Sequence, residues 1–133
     1  MKGYHDNIET LTSANSDFRR VLYTGKHLQL VLMTLQPGEE IGSEVHDGID
    51  QFFRFEAGEG VVDIDGVENR VEDGSGVIVP SGARHNVRNT GTVPLKLYTL
   101  YGPPEHRDQI VQATKADAEA RHHDEEFDGT TTE

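Results

Sequence analysis

GSGVIVPSGARHNVRN, residues 74–89, is the stretch on which the reading of the whole chain turns. It runs from a Gly-rich turn through a strongly apolar segment to a Pro-x-Gly turn, and then His85 opens a second alternating segment. Pro80 presets its own φ for the turn, and Gly82 tolerates the positive φ that a tight turn can demand. In an extended 85–89 segment, residues two apart share a face, so His85, Val87 and Asn89 point the same way. A His placed on a defined face directly after a rigid turn either caps and packs the strand or serves as a ligand.

Outward from this stretch, Gly and Pro recur every 8–12 residues while apolar residues alternate between them. That spacing predicts an all-β sandwich or barrel. Candidate strands are 18–24, 28–35, 51–56, 60–64, 67–71, 77–79, 85–89 and 95–101. Asp65-Gly66 between two of these runs is the signature of a type I′ hairpin, whose two central residues both need positive φ. LQLVLMTL, residues 28–35, is apolar on both faces and reads as a central, doubly covered strand. At residue 114 the pattern changes. Thr114 is followed three residues later by Asp117 and then by Ala-rich helix formers, which predicts a capping box and a short peripheral helix. The last residues, DGTTTE, read as disordered. The expected organisation is one barrel domain over 1–113, including N-terminal strands, and a helix with an acidic tail over 114–133.

The composition narrows the chemistry. The 133 residues suit one domain with one core. There is no cysteine, which excludes disulfides, thiolate catalysis and Cys-ligated zinc or iron–sulfur centres. A formal net charge of −12 lacks the basic footprint that nucleic acids and anionic membranes require. No apolar run approaches the ~20 residues of a membrane span, and the first residues lack the apolar core of a secretory signal, so a cytoplasmic location is expected. Acidic, Lys-poor surfaces of this kind also occur on salt-adapted proteins.

The segment 38–60, GEEIGSEVHDGIDQFFRFEAGEG, supplies the remaining polar groups. Glu44 and His46 sit two apart and share a face if extended. Asp47-Gly48 offers a turn, after which Gln51, Phe53 and Phe55 lie on one face, with Phe52, Arg54 and Glu56 on the other. A hairpin here brings Glu44, His46 and Gln51 to one interior face. Read alone, the same segment is more simply an acidic surface hairpin.

Together the two segments resemble the motifs of the cupin family. The first motif is matched by Gly38, Glu44-x-His46, Gln51 and Gly58, and the second by Gly74, Pro80, Gly82, His85 and Asn89, all at the family's spacings. The resemblance implies a double-stranded β-helix (jelly-roll) barrel, commonly a homodimer, with a metal inside the barrel mouth. The family's ligand positions fall on Glu44, His46, Gln51 and His85. Glu44 stands where His is usual and Gln51 where Glu is usual. Two imidazoles and one carboxylate suit one divalent transition metal, with Zn, Mn, Fe, Ni and Co all open. The inventory of Gln, His, Glu and His is similar to that of phosphomannose-isomerase-like cupins, with Glu and Gln exchanged in order.

A metal-dependent enzyme on a small polar substrate such as a sugar, of isomerase or epimerase type, is the expected function. An Fe(II)-type dioxygenase and a non-catalytic small-ligand module are the alternatives. Phe53, Phe55 and Tyr101 are candidates for the substrate pocket, the two Phe competing with plain barrel filling. His106, in the loop after Gly102-Pro103-Pro104, is either a proton-transfer group folded over the mouth or a solvated His in a chain reversal. Arg54, Arg84 and Arg88 fall on outer faces by alternation, which leaves no evident phosphate pocket.

Overall fold

The computed structural model describes residues 1–120 and 125–133, so the adjacent His122 and His123, which the sequence reads as solvated within a run of charge, lie outside the described residues. In chain order the elements are α1 (Ile8–Ala14), β1 (Arg19–Thr24), β2 (Gln29–Leu35), β3 (Glu44–Val45), β4 (Asp50–Ala57), β5 (Glu59–Ile64), β6 (Val67–Glu72), β7 (Gly76–Val79), β8 (Arg84–Asn89), β9 (Leu95–Gly102), β10 (Val111–Gln112) and α2 (Lys115–Ala120). Each of the eight anticipated strands is present, with ends displaced by at most one residue. The strands form two antiparallel sheets, β10-β1-β2-β9-β4-β7 and β3-β8-β5-β6, which face one another as a jelly-roll barrel.

Period-two alternation fills the space between the sheets. Val31, Met33 and Leu35 of β2, Phe53 and Phe55 of β4, and Leu95 and Leu97 of β9 point inward from the larger sheet. Val62, Val71 and Val87 meet them from the smaller one. Full burial of such a side chain contributes about 1.5–3 kcal/mol, so the barrel interior is the main source of stability.

Every residue of β2 is buried, as its two-sided apolar pattern anticipates. The outer cover is α1, a helix with no counterpart in the sequence reading, which packs on β2, β4 and β9. Asn7 caps it by accepting from the Thr10 amide at 3.0 Å. Its seven residues, IETLTSA, are too few and too rich in β-branched types to show a helical period. Asn15, just past the helix, donates to Thr34 Oγ1 at 3.1 Å, and that hydroxyl donates back to the Asn15 carbonyl at 2.8 Å.

The turn chemistry follows expectation in two places. Asp65 and Gly66 have φ of 47° and 85°, the mirror-image turn that joins β5 to β6. At the start of α2, Asp117 N donates to Thr114 Oγ1 at 3.1 Å while Thr114 N donates to Asp117 Oδ2 at 3.3 Å, the reciprocal capping box. The final residues have contacts of their own, with Thr132 N donating to the Thr24 carbonyl at 2.9 Å.

The expected hairpin between Glu44 and Gln51 is corrected. β3 pairs with β8, in the four-stranded sheet, whereas β4 lies between β9 and β7 in the six-stranded one. Residues 46–50 therefore cross from sheet to sheet, and the Pro80 turn pins the crossing. Gly82 N donates to the His46 carbonyl at 3.0 Å, Gly48 N to Ser81 Oγ at 2.7 Å and Ser81 N to Asp50 Oδ1 at 2.9 Å. The rigid turn thus supports both ligand-bearing segments. At the other end of β8, Asn89 Nδ2 donates to the carbonyls of Leu35 and Val93, both at 2.9 Å, a structural latch between the sheets.

Candidate metal centre at the barrel mouth

Glu44 and His85 are direct partners across the β3–β8 ladder, and His46 follows just beyond it. One ligand atom from each of Glu44, His46 and His85 lies within 4.8 Å of the others. Glu44 Oε2 and His46 Nε2 approach to 2.8 Å, yet Nε2 makes no hydrogen bond of acceptable direction. That approach places a carboxylate oxygen and an imidazole nitrogen as neighbours around a common point.

Each imidazole is oriented from its far side. His85 Nδ1 lies 3.1 Å from the Ala83 carbonyl, an acceptor that takes the Nδ1 proton and leaves Nε2 with its lone pair. His46 Nδ1 faces Glu105 Oε1 at 3.5 Å. Burial, reinforced by the nearby His46, holds His85 below the ordinary histidine pKa and favours the neutral ring that a metal needs. Burial also works against charge on His46, but Glu44 and Glu105 outweigh it and raise its pKa. The reciprocal attraction of His46 overcomes the burial of Glu44 and keeps that carboxyl below its usual range.

Gln51 completes the set from the opposite sheet. Its side chain is 3% exposed, and Nε2 donates to Thr99 Oγ1 at 3.0 Å. Oε1 is buried with no hydrogen-bond partner, an arrangement that costs about 1–3 kcal/mol. Gln51 lines the same small cavity as Glu44, Phe53, His85 and Tyr101, with a volume of about 10 Å³. That is room for an ion or a single water. An orphaned amide oxygen beside two imidazole nitrogens and a carboxylate fits a divalent transition metal, with Glu44, His46, Gln51 and His85 as the residues that could hold it.

The remaining anticipated residues separate. Phe53 borders the cavity, its ring centroid 6.2 Å from that of His85. Phe55 is wholly buried behind it in the core and fills the barrel. Tyr101 borders the cavity and is 3% exposed. His106 is not a solvated loop residue. It is 6% exposed, with Nε2 3.1 Å from the Tyr101 hydroxyl and its ring also hydrogen-bonded to the Glu125 backbone carbonyl. Burial, helped by the Arg19 and His46 charges, holds His106 well below the ordinary histidine pKa. Burial likewise pushes the Tyr101 hydroxyl well above the usual phenol range. Arg54 pairs with Glu56 on the outer face, and Arg88 with Asp63 and Glu68, as alternation predicts.

Four residues around the mouth were not anticipated. Arg19 is 4% exposed and reaches Gln112 Oε1 at 2.7 Å and Glu125 Oε2 at 3.1 Å. Its spacing of two from the inward Val21 is a signal that could have found it. Gln29 shares an inward face with Val31 and Met33 and was legible in the same way. Glu105 and Glu125 lie outside any strand, where no periodic signal exists. Residues 105–107 and 125–127 are zipped together, Arg107 N donating to the Glu125 carbonyl at 2.7 Å and Phe127 N to the Glu105 carbonyl at 3.1 Å. Between them and β3 lies a recess of about 240 Å³ lined by Glu44, Val45, His46, Glu105, His106, Glu125 and Glu126. Among these lining residues there is no Lys or Arg.

Two facing antiparallel sheets with a His–carboxylate cluster at one end define a jelly-roll barrel with a candidate metal centre at its mouth. The chain belongs to the cupin family, since the cupin domain model matches residues 31–101. It is similar to protein YrkC of Bacillus subtilis, 48% identical over 120 residues that span 86% of this chain and 64% of that protein. Among solved structures it is similar to BH2720 from Bacillus halodurans, with 46% identity, a TM-score of 0.88, and 90% of this chain and 95% of that one covered. TT1209 from Thermus thermophilus is 26% identical with a TM-score of 0.67, covering 74% of this chain and 96% of that one. Among the described residues, no helix is long and apolar enough to cross a membrane.

Proposed function

We propose that the chain is a metal-dependent enzyme that moves a proton on a small, polar, uncharged substrate such as a sugar, in the manner of an isomerase or epimerase. The observation that carries this reading is the Tyr101–His106 pair, buried beside the ligand cluster at a hydroxyl-to-nitrogen distance of 3.1 Å. A divalent metal held by Glu44, His46, Gln51 and His85 would supply Lewis-acid polarisation of substrate oxygens.

The protein's own groups account for the rest. With its ring also engaged by the Glu125 backbone, neutral His106 offers Nε2 as the acceptor for the Tyr101 proton. A proton taken from substrate carbon passes to the Tyr101 oxygen as the Tyr101 proton moves to His106 Nε2. The reverse movement returns a proton to the neighbouring carbon, so no net oxidant is required. The cavity beside Gln51 is too small for a whole substrate, whose body would occupy the recess at the mouth that His106 also lines, its reacting carbon turned toward the Tyr101–His106 pair. The recess carboxylates Glu44, Glu105, Glu125 and Glu126 repel phosphates and acids, which favours an uncharged substrate.

Incubation of the purified enzyme with candidate sugars in deuterated water tests this reading. Deuterium incorporation at the carbon next to the carbonyl, lost in Tyr101→Phe, is the expected result. Oxygen uptake without exchange supports the second reading, an Fe(II)-type dioxygenase, which the two-His, one-carboxylate set of Glu44, His46 and His85 also suits. Ligand-induced stabilisation without turnover supports a binding module. The homodimer that the family implies is read by sedimentation, with the edge strand β7 and its exposed Ile78 as the first surface to test.

A further inference from the structure

We propose that Glu105 is a positioning residue for the metal centre. Its carboxylate holds the Nδ1 proton of His46 so that Nε2 stays bare toward Glu44, and Gln29 holds Glu105 in place. This inference rests on the reading of Glu44, His46, Gln51 and His85 as metal ligands.

The two imidazoles need the same thing by different means. Each must present an unprotonated Nε2, which requires an acceptor for its Nδ1 proton. For His85 that acceptor is the Ala83 carbonyl, supplied by the backbone of its own strand entrance. His46 lies in the crossing between sheets, just beyond β3. The group facing its Nδ1 is Glu105 Oε1 at 3.5 Å, an ion-pair separation a few tenths of an ångström longer than a direct hydrogen bond. Without it, Glu44 at 2.8 Å from Nε2 draws the proton to the wrong nitrogen. A carboxylate behind a ligating His is also a general means of raising its basicity.

Glu105 would be a poor guide on a mobile loop, but the backbone beneath it is fastened. Gln29 is completely buried, and its Oε1 accepts from the amides of Glu105 at 3.2 Å and His106 at 3.0 Å. Its Nε2 donates to the His106 carbonyl at 2.7 Å and to Thr24 Oγ1 at 2.9 Å. One side chain on a central strand thus fixes both ends of the peptide that carries Glu105. A solvated surface carboxylate would need no such anchor.

The test is zinc binding by calorimetry, with long-range nitrogen NMR of the His46 ring, on the full chain and on Glu105→Ala and Glu105→Gln. The parent protein should bind one zinc with His46 protonated at Nδ1. Glu105→Ala should bind zinc 10- to 100-fold more weakly and lose the clean Nδ1–H signature. Glu105→Gln, which keeps an accepting oxygen, should retain that signature and lose less than about tenfold. Both variants keep the backbone bonds to Gln29, so unchanged circular dichroism is expected. Zinc binding and a His46 tautomer in Glu105→Ala identical to those of the parent would overturn the assignment of Glu105 alone. A parent protein that takes up no zinc, cobalt or manganese overturns the metal reading and this inference with it.

Discussion

Glu44 faces His85 across the β3–β8 ladder, while Gln51 reaches the same cavity from the other sheet, so the barrel mouth is closed on its ligands from both sides. Because Gln51 Oε1 is buried without a partner, Gln51→Leu should weaken metal binding at least tenfold without lowering the thermal midpoint of the metal-free protein. Replacing the amide by an apolar group of similar size removes the desolvation penalty of Oε1 and also the Nε2–Thr99 bond, two effects of opposite sign and similar size. Paired calorimetry and thermal melts check both halves, and a metal-free variant destabilised by more than about 1 kcal/mol would contradict them.

His46→Ala and His85→Ala should each abolish metal uptake while leaving the barrel folded. Metal added at a hundred times its dissociation constant should stabilise the parent protein by about 2.7 kcal/mol, and neither variant. Thermal melts with and without metal read this directly, and full metal occupancy in the double variant would exclude these ligands.

Neutral His106 makes stability depend on pH. Its folded pKa lies well below 6.5, so as pH falls the unfolded chain takes up a proton first. The stability it contributes is fully present above about pH 6.5 and is lost progressively below it. The loss from this group cannot exceed about 1.4 kcal/mol per pH unit. Urea unfolding between pH 7.5 and about 5 should show a shallower decline for His106→Asn than for the parent, apart from a constant offset.

Gln29→Leu should destabilise the protein by about 2–4 kcal/mol, because it strips buried partners from the amides of Glu105 and His106. It should also weaken metal binding, as the peptide carrying Glu105 is released. Loss of stability with metal affinity intact would show that Gln29 serves the fold only.

Gly60 in β5 has no room for a side chain. A Cβ there would sit 2.5 Å from the Arg88 carbonyl oxygen and 2.8 Å from Leu95 Cδ2. Gly60→Ala should cost about 2–3 kcal/mol through strand displacement, measured as a lowered denaturant midpoint with an unchanged slope.

The strands, their inward faces and the two turns at Asp65-Gly66 and Thr114 were legible because each depends on residues one to four apart. Two-residue periodicity is intrinsic to an extended chain, so Phe53, Val87, Leu97 and Tyr101 declared their faces. Helix α1 was not legible, since seven residues with few apolar positions carry no period and are helical chiefly because β2 and β9 offer a face to cover.

The candidate site divides along the same line. Glu44, His46, Gln51 and His85 could be named from their match to the cupin motifs, because those motifs are local spacings between these residues and the Gly and Pro turns. That Gln51 arrives from the opposite sheet, that His106 is buried against Tyr101, and that Glu105, Gln29 and Arg19 converge behind the ligands depend on contacts between residues far apart in sequence. Sequence spacing specified which side chains were available and which way they leaned. Only the closing of two sheets and the docking of residues 105–107 on 125–127 determined which of them meet, because burial and pairing at long range are properties of the packed barrel and of no single segment.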